Sequence, residues 1–377
     1  MDLSFTETQE MLKNTARSFL SRECPMTRLR ELDETETGFD PNLWRQMVEM
    51  GWVDMIIPEE FGGSGMSFTD LGVLYEEMGR VLLPSPHHST AVLGALAILE
   101  AGTPQQKAQL LPAIARGELI LALALTEPDY GWEPGAVRLQ ATARNGRFVL
   151  NGTKLFVHDA HIADQIICVA RTRQSEDPAE GITLFLVDKR SPGLSCRTMS
   201  GWLGTKFNEV NFQSVEAPAD SVLGSVDSGW AALTPVLDKA AVVLCAYMVG
   251  GGQQVLENTL EYTRSRVQFG SPIGTLQRVQ DHVIDVVNAL DAARWTTYEA
   301  LWKIDSGNPT AIAASVAKAA SSEAFQSLCD SAHRAHGAIA LVKEYGLYMY
   351  TKMARTLYSY LGDPTHHKRR LARLLEM

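Results

Sequence analysis

The spacing of apolar residues along the chain changes twice. Up to about residue 118 it is helical. Asp40-Pro41 and Thr103-Pro104 each set a side-chain acceptor before a proline suited to the first helical turn. After Asp40 the apolar set Leu43, Trp44, Met47 and Val48 keeps the helical period and stops at Gly51. After Thr103, the set Ala108, Leu111, Pro112 and Ala115 does the same and stops at Gly117. Residues 58–65, with three glycines and two glutamates, read as a loop.

From about residue 119 the period becomes two. Residues 138–144 alternate, Asn145-Gly146 supplies a tight turn, and Phe148-Val149-Leu150 resumes before Asn151-Gly152. Asn-Gly between alternating runs predicts a hairpin. Further strands are expected over 165–171, 182–187 and 209–215, with no helix between them, which suggests an antiparallel barrel or sandwich. The helical period then returns over 230–265, 276–306 and 309–336, with shorter stretches from Lys343 and Pro364, as expected of an antiparallel bundle. The predicted organisation is α+β: helices over 1–118, a β-domain over 119–224 and a helical bundle over 225–377.

Composition narrows the function. At roughly 100–200 residues per domain, 377 residues suggest two or three domains, and 45% hydrophobic content excludes disorder. A formal charge of −10 argues against nucleic acid, whose phosphates need clustered Lys and Arg. The five cysteines are scattered, with no CxxC pair and no Cys/His cluster at ligand spacing, so no metal site is expected and the thiols read as reduced. The longest apolar run, residues 240–249, is about half of the ~20 residues that cross a bilayer. The first residues lack the basic and apolar regions of a signal peptide. The expectation is a cytoplasmic protein with no membrane partner.

Three segments together resemble the acyl-CoA dehydrogenase family of flavoproteins. They are Leu125-Thr126-Glu127-Pro128 followed by Asn151-Gly152-Thr153-Lys154; the block Tyr262-Thr263-Arg264-Ser265-Arg266-Val267-Gln268-Phe269-Gly270-Ser271-Pro272-Ile273-Gly274 with Gln277 and Gln280; and His336-Gly337-Ala338 with Glu344, Tyr360 and Gly362. The resemblance implies an N-terminal helical domain, a middle β-barrel or sandwich and a C-terminal four-helix bundle. It also implies FAD, an acyl-CoA-type substrate and a dimer or tetramer, of one chain type or two, with FAD at the subunit interface. Thr126 matches a position that hydrogen-bonds the flavin ring. Phe156 stands where a Trp usually flanks the ring, and His158 where a Thr usually contacts N5. Arg266 resembles the arginine that binds the pyrophosphate of a neighbouring subunit's flavin, a role suited to a bidentate guanidinium. Gln268, Phe269 and Gln277 belong to the same cofactor arm. Arg334 falls where a Gln often supports the pyrophosphate, and Gly337 would permit close backbone approach.

The chain also departs from the family. The reaction needs a glutamate to take the α-proton, and the two places that carry it read Leu361 and Ala240 here. Ala241 replaces a common Arg, and Asp129-Tyr130-Gly131-Trp132-Glu133-Pro134 replaces a small-residue loop. Ala338 and Ala340 stand where glycines are common. No catalytic base is assigned; Asp129, Glu133 and Asp363 are the carboxylates within range of the altered segments. Some bacterial members acting on steroid side chains are heterotetramers in which one subunit lacks the base, and that partner often carries Gly-Asp-x-x-x-His, as Gly362-Asp363-Pro364-Thr365-His366-His367 does here. Three readings stand: a dehydrogenase with an unrecognised base, a base-less subunit completing a partner's FAD site, and a flavin oxidase not using CoA thioesters, with His158 near N5. The electron acceptor and acyl chain are not readable.

Overall fold

Residues 4–202 and 204–377 are described by the structure, a computed structural model. The N-terminal helices begin where capping side chains satisfy their first amides. These are α1 (Glu7–Glu23), α2 (Met26–Glu34), α3 (Pro41–Glu49), α4 (Phe68–Arg80), α5 (Ala95–Ala101) and α6 (Pro104–Ala115). Thr6 with Gln9, Ser67 with Asp70 and Thr103 with Gln106 form capping boxes, and Asp40 accepts from the amides of Asn42 and Leu43. The expected starts at Asp40 and Thr103 are therefore present. The loop at 58–65 is interrupted by a short 3-10 turn, Glu59–Phe61. A fully buried π-helical stretch, His88–Gly94, leads into α5 and, with His87 just before it, sets two histidines in the interior.

The β-domain comprises β1 (Leu121–Ala124), β2 (Gln140–Arg144), β3 (Arg147–His158), β4 (Gln165–Arg171), β5 (Ile182–Asp188), β6 (Leu194–Thr198), β7 (Phe207–Pro218) and β8 (Val222–Leu223). The predicted hairpin is β2–β3, turning on Asn145 and Gly146 with φ of 51° and 74°, as a type I′ turn needs. The strand order is β6-β7-β3-β2-β4-β5-β8, with β1 alongside β4. Pairing is not antiparallel throughout: β1 runs parallel to β4, and β2 meets β4 in parallel at Gln140 and Arg171. The sheet curls round its own apolar core, so that Phe148 of β3 and Phe185 of β5 meet edge-on at 5.0 Å.

The C-terminal part holds α7 (Gly229–Ser265), the short ribbon β9 (Val267–Gln268) and β10 (Ser271–Pro272), α8 (Gln277–Asp305), α9 (Ala311–His336), α10 (Leu347–Ser359) and α11 (Pro364–Leu374). Helix α7 crosses α4 with the two backbones in contact: a Cβ on Gly250 would lie 1.9 Å from the Glu76 carbonyl, and one on Gly79 1.9 Å from that of Tyr247. By length and composition α7 could cross a membrane, but 72% of its most apolar window is buried within the protein. The five cysteines are free, and the described residues contain no His/Cys/Asp/Glu cluster able to hold a metal.

Candidate functional site

The site is built first at the lip of the β-domain. Where β1 ends, Thr126 donates its hydroxyl to the Leu155 carbonyl and accepts the Leu155 amide through its own carbonyl at 2.9 Å. The next residue explains both short motifs of this domain. Glu127 accepts from the amides of Arg138 and Leu139 at 3.0 and 2.9 Å and from the fully buried Lys154 Nζ at 2.7 Å. Lys154 also donates to the Leu125 carbonyl at 2.9 Å. Thr-Glu-Pro and Asn-Gly-Thr-Lys are thus joined by a buried ion pair that fixes the floor of the site, a role sequence reading missed. The available signal was an acid and a lysine in the two short motifs of the β-domain, Thr126-Glu127-Pro128 and Asn151-Gly152-Thr153-Lys154.

Above this floor the β3 strand bulges between Lys154 and Val157. Phe156 sits there at φ 54°, an unfavourable conformation for an aromatic residue. Its ring lies 5.7 Å from Tyr130 and 6.2 Å from Phe207. His158 packs 5.3 Å from Phe207 and 5.6 Å from Tyr360, and its Nε2 lies 2.7 Å from Thr205 Oγ1. Burial holds its pKa down to about 3, so the ring is neutral. The altered loop closes over these groups. Tyr130, at φ 45°, donates to the Ser359 carbonyl at 2.9 Å, and Trp132 meets Tyr360 edge-on at 5.9 Å.

The carboxylates named from sequence are otherwise engaged. Asp129 pairs with Arg138 at 3.0 Å on the surface. Glu133 bonds Arg373 at 2.6 Å and lies 3.5 Å from His366. Asp363 caps α11 by accepting the His366 amide at 2.7 Å. Leu361 is buried at φ 59°, with its carbonyl 2.9 Å from His367 Nε2, so the Gly-Asp-x-x-x-His segment caps a helix and tethers this turn. Ala240 is fully buried, and its carbonyl receives His88 Nε2 at 3.1 Å. The buried carboxyl that sequence reading missed is Asp159, at φ 57°. It accepts from Ser89 Oγ at 2.6 Å and lies 3.5 Å from His158, and burial pushes its pKa up.

The remaining cofactor candidates form a second group, on the C-terminal domain. Arg266 ends α7; its side chain is exposed and forms no ion pair among the described residues. Phe269 and Gly270, at φ 54° and 83°, make the two-residue turn between β9 and β10, and Phe269 is 91% exposed. Gln268 and Gln277 are exposed beside it. The end of α9 packs against the end of α7, where His336 stacks on Tyr262 at 4.5 Å; Arg334 and Gly337 there are exposed. Gly337 is required by its own backbone, φ 67° and ψ −142°; a Cβ there would meet nothing within 4 Å.

Three family models match in succession: the acyl-CoA dehydrogenase N-terminal domain over residues 6–118, the middle domain over 122–215 and the C-terminal domain over 227–375. The chain belongs to the acyl-CoA dehydrogenase family. It is 30% identical to an acryloyl-CoA reductase (NADH) of Anaerotignum propionicum, over 99% of this chain and 95% of that one. Among solved structures it is similar to the FAD complex of PigA, with a TM-score of 0.91 and 26% identity over 100% of this chain and 99% of that one. It is also similar to a chain of the ChsE4-ChsE5 complex of Mycobacterium tuberculosis, with a TM-score of 0.90 and 25% identity over 100% and 99%. FAD is the cofactor of this family.

The residues fit FAD at one end and not at the other. The α7–α8 connection leaves an arginine and an aromatic ring exposed. Where the isoalloxazine would lie in the same chain, Tyr130, Trp132, Phe156, Phe207 and Tyr360 close ranks, and the cavity beside His158 measures about 50 Å³. Ligand pockets run to roughly 300 Å³ and more.

Proposed function

We propose that this chain is a subunit of an FAD-dependent assembly for α,β-dehydrogenation of acyl-CoA thioesters, completing a partner's FAD site without supplying the base. The partner is a chain of the same family that keeps an open ring site and a glutamate. Arg266 would bind that chain's pyrophosphate, with Gln268, Phe269 and Gln277 toward the adenosine and Arg334 as a second cation. One observation carries the reading: Phe269 is 91% exposed beside Arg266, which forms no ion pair among the described residues, while the chain's own ring wall is filled by its aromatic residues. An exposed phenylalanine in a strained turn makes sense where a second chain covers it.

A second reading rests on Asp159. A carboxyl held toward its neutral form by burial is what a general base near neutrality needs, and this would make the chain a dehydrogenase in its own right. The test is turnover of a panel of acyl-CoAs with an artificial electron acceptor, by the isolated chain and by the chain co-expressed with family members encoded beside it. The proposal expects activity only in the second case. Turnover by the isolated chain that is abolished by Asp159→Asn would replace it with the second reading.

A further inference from the structure

A cavity of about 670 Å³ opens between α1, α4, α7 and α8, and shares no residue with the β-domain lip or the α7–α8 connection. That volume suits a small organic molecule. Part of its lining is aromatic. Trp295, Tyr298 and Trp302 stand at i, i+3 and i+7 on α8 and so share one face of the helix, and Phe5 meets Tyr298 at 5.7 Å. Trp295 and Trp302 are 47% and 42% exposed.

The charged lining is balanced, with Lys13, Arg17 and Arg294 against Glu76, Glu257 and Asp305. Three cations and three carboxylates favour a neutral ligand over an ion of either sign. Most of these groups are already engaged. Arg17 bonds Glu77 at 2.9 and 2.7 Å, and Glu257 takes both terminal nitrogens of Arg80. Asp305 accepts the amides of Phe68 and Thr69 at 2.7 and 2.9 Å, and Lys13 lies 4.9 Å over the Phe5 ring.

Arg294 is the exception. Its Nη2 donates to Gln253 at 2.9 Å, but Nη1 stands 3.7 Å from Asp291 and Nε 3.9 Å from Glu76 Oε1, beyond hydrogen-bond reach. Glu76 Oε1 and the Tyr298 hydroxyl are buried in this wall and complete no hydrogen bond. Unspent donors of Arg294 thus stand beside an unspent acceptor of Glu76, next to aromatic rings. A carboxylate would satisfy only the first, an ammonium only the second, and a hydrocarbon neither.

We infer that this cavity is a binding site for a neutral aromatic molecule carrying a hydrogen-bond acceptor and donor side by side, as an aromatic carboxamide does. The ring lies against Trp295 and Trp302, the carbonyl accepts from Arg294 and the amide N–H donates to Glu76. The site goes beyond the reading above and does not depend on where FAD binds.

The test uses the purified protein with the cofactor and partner chain it carries, this chain being labelled with ¹⁵N in its seven tryptophans. Trp295→Phe and Trp302→Phe assign the two indole N–H resonances. Benzamide is the probe, with benzoate, benzylamine and toluene as the anionic, cationic and apolar comparisons. Benzamide should shift the Trp295 and Trp302 resonances and saturate, with each comparison at least about tenfold weaker at the same resonances. Arg294→Met should weaken benzamide about tenfold and leave toluene unchanged, a split that loss of the fold would not give. The inference is overturned if benzamide moves neither resonance, or if any comparison binds within that tenfold margin. These wild-type titrations decide the matter even where Arg294→Met fails to fold.

Discussion

The lip of the β-domain and the α7–α8 connection carry the two groups of residues that the family resemblance singles out, and they are built in opposite ways. At the lip every candidate is engaged within the chain: Thr126 with Leu155, Phe156 with Tyr130, and His158 with Thr205. At the connection the candidates are exposed: Arg266 forms no ion pair among the described residues, and Phe269 is bare. A surface that serves its own chain packs inward, and a surface that serves another chain stays open until it is covered. On the proposed reading, the cofactor role of this chain belongs to its outward face.

Four perturbations would break or sharpen that contrast. The largest effect is expected at the lip, where Glu127→Ala strands the buried Lys154 ammonium. Losing one partner of a buried pair costs about 3–5 kcal/mol, which urea unfolding followed by circular dichroism would register. A loss below about 1 kcal/mol would mean that the floor is not rigid. Arg266→Ala should behave in the reverse sense, leaving stability within about 0.5 kcal/mol while weakening FAD retention by the assembled protein about 10- to 100-fold. Unchanged FAD content in the variant would remove the arm's assigned role.

The third perturbation is acid. His87 and His88, with pKa values near 4, and His158 and His367, near 3, all lie below the ordinary 6.5 because of burial. The unfolded chain therefore binds more protons between about pH 4 and 6.5, so stability is full above 6.5 and is lost as the pH falls. Each histidine contributes at most about 1.4 kcal/mol per pH unit, and Asp159, raised by burial, acts in the opposite direction. His333, His336 and His366 are lowered by burial too, and Asp54 and Glu76 are raised by it like Asp159. Seven histidines against three carboxyls should leave stability rising with pH across this window in denaturant titrations; a flat profile would mean that water reaches these histidines. The smallest effect belongs to Tyr130→Phe, which removes the bond to the Ser359 carbonyl and should cost about 0.5–1.5 kcal/mol in thermal unfolding. A larger loss would show that this single bond holds the loop down.

The helices and the hairpin were legible because their signals are local. A capping residue before a proline and an Asn-Gly turn act within four residues, and both are where the sequence places them. The short strands β1, β6 and β8 were not legible, since four apolar residues or fewer carry no period of their own. Site residues divided along the same line. Arg266 and Phe269 stood out because the motif around them is contiguous. Glu127–Lys154 and Ser89–Asp159 are separated by 27 and 70 residues, and only the fold makes them neighbours. The loss of carboxylates at positions 240 and 361 was plain in the sequence, whereas the aromatic closure over the lip depends on Tyr130, Phe156 and Phe207 arriving from three separate segments.

The most direct test of the central claim is the FAD content of the purified assembly, measured by flavin absorbance against the amount of each chain. The account predicts one FAD for each pair of this chain with its partner, and release of that FAD by Arg266→Ala in this chain alone. One FAD per copy of this chain, retained when Arg266 is replaced, would contradict it.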